Sequence, residues 1–138
     1  MAADSGKAKG TSFDRFAEAY GKGQSEAELL MEREIIGANV GCRGYTTLAQ
    51  ADELGEHLRL RPGARLLDIG AGRGWPGLYL ARKTGCEVVL TDPAAPGLRV
   101  SLRNADEWGH RSSAAVASAA SLPFRREAFD AIVHTDVL

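Results

Sequence analysis

The sequence predicts an α/β fold, a doubly wound parallel sheet preceded by a helical N-terminal segment, and three observations carry that prediction. From residue 64 onward, apolar runs of strand length alternate with stretches of helical period. Glycines cluster directly after the first of these runs, at Gly70, Gly72 and Gly74. A carboxylate, Asp92, closes the second run about 20 residues further on, the spacing at which such sheets place an acid that reads a ligand. Alternation of this kind implies parallel strands, right-handed crossovers and helices on both faces of the sheet.

The elements follow in order. Residues 1–10 are small, polar and lysine-containing, with nothing apolar to bury, and are expected to be a disordered tail. Residues 11–60 are expected to form a helical lid or cap. Thr11 and Asp14 frame a capping box, Phe13, Phe16, Ala17 and Tyr20 recur at helical spacing, and Gly21-Lys22-Gly23 breaks the helix. Ser25 to Glu28 caps a second helix, whose apolar positions Leu30, Met31 and Ile35 run to a stop at Gly37. Residues 39–46 read as a loop. Thr47 to Gln50 is a further capping box, and Leu48, Ala51, Leu54 and Leu58 form the buried stripe of a helix ended by Pro62-Gly63.

Residues 61–138 are expected to be the ligand-binding domain. Its strands are predicted at 64–69, 87–91, 114–117 and 129–135, and its helices at 75–84, before Gly85, and from Pro96 to near Gly109. With the spatial order 3-2-1-4 the fourth strand becomes an edge, and the domain is expected to stop there. A partner chain, or self-association through that strand, is the expected consequence.

Seventeen basic and 18 acidic side chains give a formal charge of −1, so no global field favours nucleic acid or an anionic membrane. No apolar stretch approaches the roughly 20 residues of a membrane span, and the first residues lack the pattern of a secretion signal, so a cytoplasmic protein is expected. Cys42 and Cys86 have no second cysteine or histidine at metal-ligand spacing and read as reduced thiols.

Ligands of such sheets sit beyond the carboxyl ends of the strands. Gly70, Gly72 and Gly74, with Ala71 between them, remove β-carbons there and let a small molecule lie against the backbone. Asp68, just before the loop, would repel a pyrophosphate but suits a cationic amine or a sulfonium, and S-adenosylmethionine carries both. Asp92, followed by Pro93, can accept hydrogen bonds from two ribose hydroxyls. Ala119 and Ala120, in the segment leading to Leu122-Pro123-Phe124, could place backbone N–H groups and an apolar wall around adenine. His134, at the end of the fourth strand, points toward the site, where a base could act; His57 and His110 read as solvated.

The run Leu67 to Gly74, then Thr91-Asp92, then Leu122-Pro123-Phe124 with Phe129-Asp130 resembles the class I, type 11-like small-molecule methyltransferases that use S-adenosylmethionine. The resemblance spans residues 64–138 and implies a Rossmann-like methyltransferase fold whose C-terminal strands are missing. It implies that Asp68 and the glycines hold the methionine part of the cofactor, Asp92 the ribose, and residues 118–122 the adenine. Members of that family often carry an acid where Ser118 stands. The implied activity is methyl transfer to a small-molecule acceptor, with no metal. Two rivals stay open: a non-catalytic, cofactor-binding remnant or interaction module, and an NAD(P)-dependent oxidoreductase, because Gly72 to Gly77 matches Gly-x-Gly-x-x-Gly.

Overall fold

The computed structural model describes residues 12–41 and 44–135. The expected tail, the Thr11 cap, the side chains of Phe13 and Phe16, Cys42 and the last three residues lie outside the described residues. The element order is α1 (Ser12–Gly21), α2 (Glu26–Ile36), α3 (Leu48–His57), β1 (Arg65–Ile69), α4 (Gly77–Thr84), β2 (Glu87–Asp92), α5 (Ala95–Glu107), β3 (Ser112–Val116) and β4 (Ala131–Val133).

Local chemistry sets the helix ends. Ser25 accepts the Glu28 N–H while the Glu28 carboxylate accepts the Ser25 N–H, and Thr47 and Gln50 form the same reciprocal pair, so these two predicted capping boxes close. Gly37 and Gly85 end α2 and α4 in the left-handed conformation, at φ 93° and 75°. Pro96 lies in the first turn of α5, where a missing N–H leaves no bond unmade. α4 begins at Gly77, two residues later than its predicted start, because residues after Gly74 first complete a turn.

All four strands are parallel, in the order β3-β2-β1-β4. In-register neighbours share a face, so Leu66, Val88 and Ala131 point the same way, as do Asp68, Leu90 and Val133. That face meets Leu78, Leu80 and Ala81 of α4 and Leu98 and Ala105 of α5 in the main core, with Leu54 of α3 packed against it. α1 packs against α5.

Three expectations change. Helices were expected on both faces of the sheet, but the described helices that touch it pack on one. The opposite face presents Val89 and a largely exposed Ile132, because the connection from β3 to β4 runs without a helix. β4 is shorter than predicted: Phe129 precedes it and packs edge-on against Phe124, with ring centroids 5.0 Å apart. In α2, the buried positions are Glu32 and Ile36, while Leu30, Met31 and Ile35 face outward.

Candidate functional site

β1 delivers the chain to the glycine loop at the carboxyl edge of the sheet. Gly70, Gly72 and Gly74 have φ of 70°, 53° and 97°, which side chains with a β-carbon rarely adopt. Backbone bonds fix the loop to β2: the Ala71 N–H donates to the Thr91 carbonyl at 2.9 Å, and the Gly74 N–H to the Ala71 carbonyl at 2.7 Å. The Thr91 hydroxyl in turn donates to the Asp68 carbonyl at 3.2 Å.

Asp92 ends β2 and is nearly buried. One carboxylate oxygen accepts the Gly72 N–H at 2.9 Å and the other accepts the Ala94 N–H at 2.7 Å. An ionised carboxylate offers about four acceptor positions, so these two bonds leave about two for a ligand's hydroxyls. Pro93, next in the chain, is exposed, and Ala71 is buried.

Asp68 is 1% exposed, and its Oδ2 accepts the N–H of Gly77 at 2.9 Å. A carboxylate there meets the positive end of α4. A β-carbon on Gly77 would stand 2.5 Å from the same oxygen, so only glycine admits this bond. Burial pushes the Asp68 carboxyl well above its usual range; the Gly77 N–H opposes this, and the charge of Asp92 adds to it. This bond gives the third glycine of the Gly-x-Gly-x-x-Gly match a role in tying β1 to α4.

The opposite wall of the loop comes from α5, which motif reading passed over, and from α1, the first helix of the segment expected to be a lid. A β-carbon on Gly97 would lie 2.6 Å from the Gly72 carbonyl, and Ser101 donates to the Gly97 carbonyl at 3.0 Å and the Gly72 carbonyl at 3.4 Å. The signal was available as two small residues four apart on a helix, which present one flat stripe. Tyr20 of α1 covers Gly72 itself, 3.2 Å from where a β-carbon would stand.

β3 brings the third segment alongside, since the Ala117 N–H donates to the Asp92 carbonyl at 3.2 Å. Ala119 and Ala120 are exposed just beyond, where the Ser118 hydroxyl accepts the Ala120 N–H at 3.2 Å. Phe124, in contrast, packs with Phe129 beside Arg65 at the start of β1, the far end of the sheet, so it forms no wall near this site. His134 is exposed at the end of β4. Its neighbour Thr135 lines a cavity of about 590 Å³, with Tyr45, Thr46, Gln50, Glu53, Leu54 and His57. His57 is exposed, as expected, at the rim of this cavity, whereas His110, expected to be solvated, is half-buried with its Nε2 closed off from solvent. The cavity adjoins the loop region through Thr46, whose carbonyl accepts the Trp75 indole N–H at 2.9 Å. It does not include Gly72 or Asp92; free volume lies beside the glycine loop, which Tyr20 covers.

With that geometry in place, residues 66–138 match the family model described as a methyltransferase domain. The chain belongs to this methyltransferase family. The chain is 33% identical to the methyltransferase GfsG of Streptomyces halstedii, over 90% of this chain and 49% of that protein. It is 28% identical to the malonyl-[acyl-carrier protein] O-methyltransferase of Gallionella capsiferriformans, over 91% of this chain and 39% of that one. The chain thus spans half or less of the length of these relatives. In fold, the methyltransferase domain is similar to the geranyl diphosphate C-methyltransferase of Streptomyces coelicolor A3(2), at a TM-score of 0.67 and 20% identity, over 92% of this chain and 56% of that one. No helix among its described residues is long and apolar enough to cross a membrane.

Proposed function

We propose that this chain supplies the cofactor half of an S-adenosylmethionine-dependent methyltransferase acting on a small-molecule acceptor. The observation that carries the proposal is Asp92: a nearly buried carboxylate that braces the glycine loop through Gly72 and still has acceptor capacity for paired hydroxyls. The donor set suits the cofactor. The glycine loop exposes backbone without β-carbons, Asp92 is fitted to the ribose with Pro93 beside it, and Ala119 and Ala120 begin an exposed turn next to Asp92 that suits adenine. Asp68, beneath the loop, is the carboxyl we assign to the cationic methionine end. His134 belongs to the same group of candidates at the end of β4, without an assigned proton-transfer step.

When bound, the cofactor supplies an electrophilic methyl group on a sulfonium. The chain's own residues orient the reactants and exclude water, which is where most of the available rate lies in such a transfer. Tyr20 shields the loop from α1, and the cavity beside Thr46 and Thr135 is the candidate place for the acceptor. The similarity to a malonyl-[acyl-carrier protein] O-methyltransferase supports an organic acceptor in general, without choosing one.

The test is titration calorimetry with S-adenosylhomocysteine against NADH. Binding of the former in preference is expected, and Asp92→Ala should weaken it by roughly 1.5–3 kcal/mol, the scale of hydrogen bonds to a charged group. Equal affinity in the variant removes the ribose assignment.

A further inference from the structure

The residue that follows the last loop glycine is turned into a second, smaller core. Trp75 is 7% exposed and packs with Ile36 of α2 and Ala51 of α3, against Val40, Leu48 and Tyr79. Its indole N–H donates to the Thr46 carbonyl at 2.9 Å. Thr46 lines the 590 Å³ cavity, and Thr47, next in the chain, caps the helix that carries Gln50, Glu53 and Leu54 to the same cavity. One side chain therefore joins the end of the glycine loop to the start of the cavity wall. A second tie holds α3 to α4, where the Tyr79 hydroxyl and the Lys83 ammonium both donate to Asp52 Oδ1. That tie begins within α4 rather than at the loop, and Asp52 is not among the residues that line the cavity.

We propose that Trp75 is a positioning residue for the methyl acceptor, which through its bond to Thr46 sets the cavity wall at a fixed distance from the cofactor loop. The assignment rests on the methyltransferase reading above. Methyl transfer tolerates little error in the separation of its reactants, and here the cofactor loop and the cavity wall come from different parts of the chain. The bond is costly to break: Thr46 is buried, so its carbonyl would lose a partner away from water, and the ring that supplies the donor is locked by the second core. Loop and wall then open together, and a ligand that stiffens the loop slows the opening of the wall as well.

Hydrogen exchange read by mass spectrometry on the full 138-residue chain, with and without saturating S-adenosylhomocysteine, tests this. In the wild type the ligand should slow exchange at least threefold both in residues 70–74 and in residues 46–54. Trp75→Phe keeps a ring in the second core and removes the donor, so protection should persist at 70–74 and vanish at 46–54. Replacing the Trp75 indole by benzothiophene, in a Trp108→Phe background that leaves one tryptophan site, should give the same loss with the packing kept, and this protein decides if Trp75→Phe does not fold. Tyr79→Phe breaks the other tie and should leave the protection at 46–54 in place. Wild-type protection confined to 70–74, protection at 46–54 that survives without the indole N–H, or its equal loss in Tyr79→Phe overturns the proposal. Calorimetry on the same samples separates the two readings. A wild type that does not bind S-adenosylhomocysteine overturns the methyltransferase reading and this role with it, whereas binding without the expected pattern at 46–54 overturns this role alone.

Discussion

At the scale of single residues, Asp68 shows how one carboxylate links stability to ligand chemistry. It is buried under the loop, bonded to the Gly77 N–H, and burial raises its pKa above the ordinary 3.8. The folded state therefore holds this proton more tightly than the unfolded one, and stability from this group is present below pH 3.8 and lost as pH rises through the folded value. Asp68→Asn keeps an oxygen for Gly77 and removes the buried charge. Its melting temperature should gain on the wild type's as pH rises above the ordinary carboxylate range, while its affinity for S-adenosylhomocysteine falls. A gap that stays constant with pH would show that the charge is not what burial opposes. Gly97 makes the complementary case in packing. Gly97→Ala places a methyl 2.6 Å from the Gly72 carbonyl, a backbone atom that cannot rotate away. We expect a loss of about 1–3 kcal/mol in urea unfolding, as for other overpacked sites, together with weaker cofactor binding.

At the scale of elements, the sequence spoke most clearly where one residue type has one structural use. The reciprocal pairs Ser25/Glu28 and Thr47/Gln50, the left-handed glycines at 37 and 85, and the glycine loop were all legible because few alternatives satisfy the same backbone groups. α2 was less legible. Leu30, Met31 and Ile35 have helical spacing, but periodicity names a stripe without saying whether anything covers it; Ile36, on another side, took the core position. The candidate site divides the same way. Asp92 and its loop stood out by spacing, whereas Gly97, Ser101 and Tyr20 reach the loop only through tertiary packing of α5 and α1, which no local motif encodes. α3 gives a test at this scale, because it carries Gln50 and Glu53 to the cavity. Thr47→Ala deletes the acceptor for the Gln50 N–H and should cost about 0.5–2 kcal/mol by thermal unfolding, with Thr47→Ser restoring most of it.

At the scale of the whole molecule, the main question is what the sheet leaves uncovered. α3, α4 and α5 share one core on the face of Leu66, Leu90 and Val133, while the other face carries Val89 and a 53% exposed Ile132 on β4, a strand paired on one side by β1. An apolar side chain and free backbone groups on one edge strand offer a ready surface for pairing with another chain. Coverage of that edge by other protein would satisfy it equally well. The 138-residue chain by itself should therefore self-associate as its concentration rises. Ile132→Glu places a charge on that edge without touching the glycine loop or the core face. Light scattering should show its mean mass lowered toward a single chain, with S-adenosylhomocysteine binding retained. If the variant associates as strongly as the wild type, the contact lies elsewhere and the β4 edge is not the surface through which copies meet.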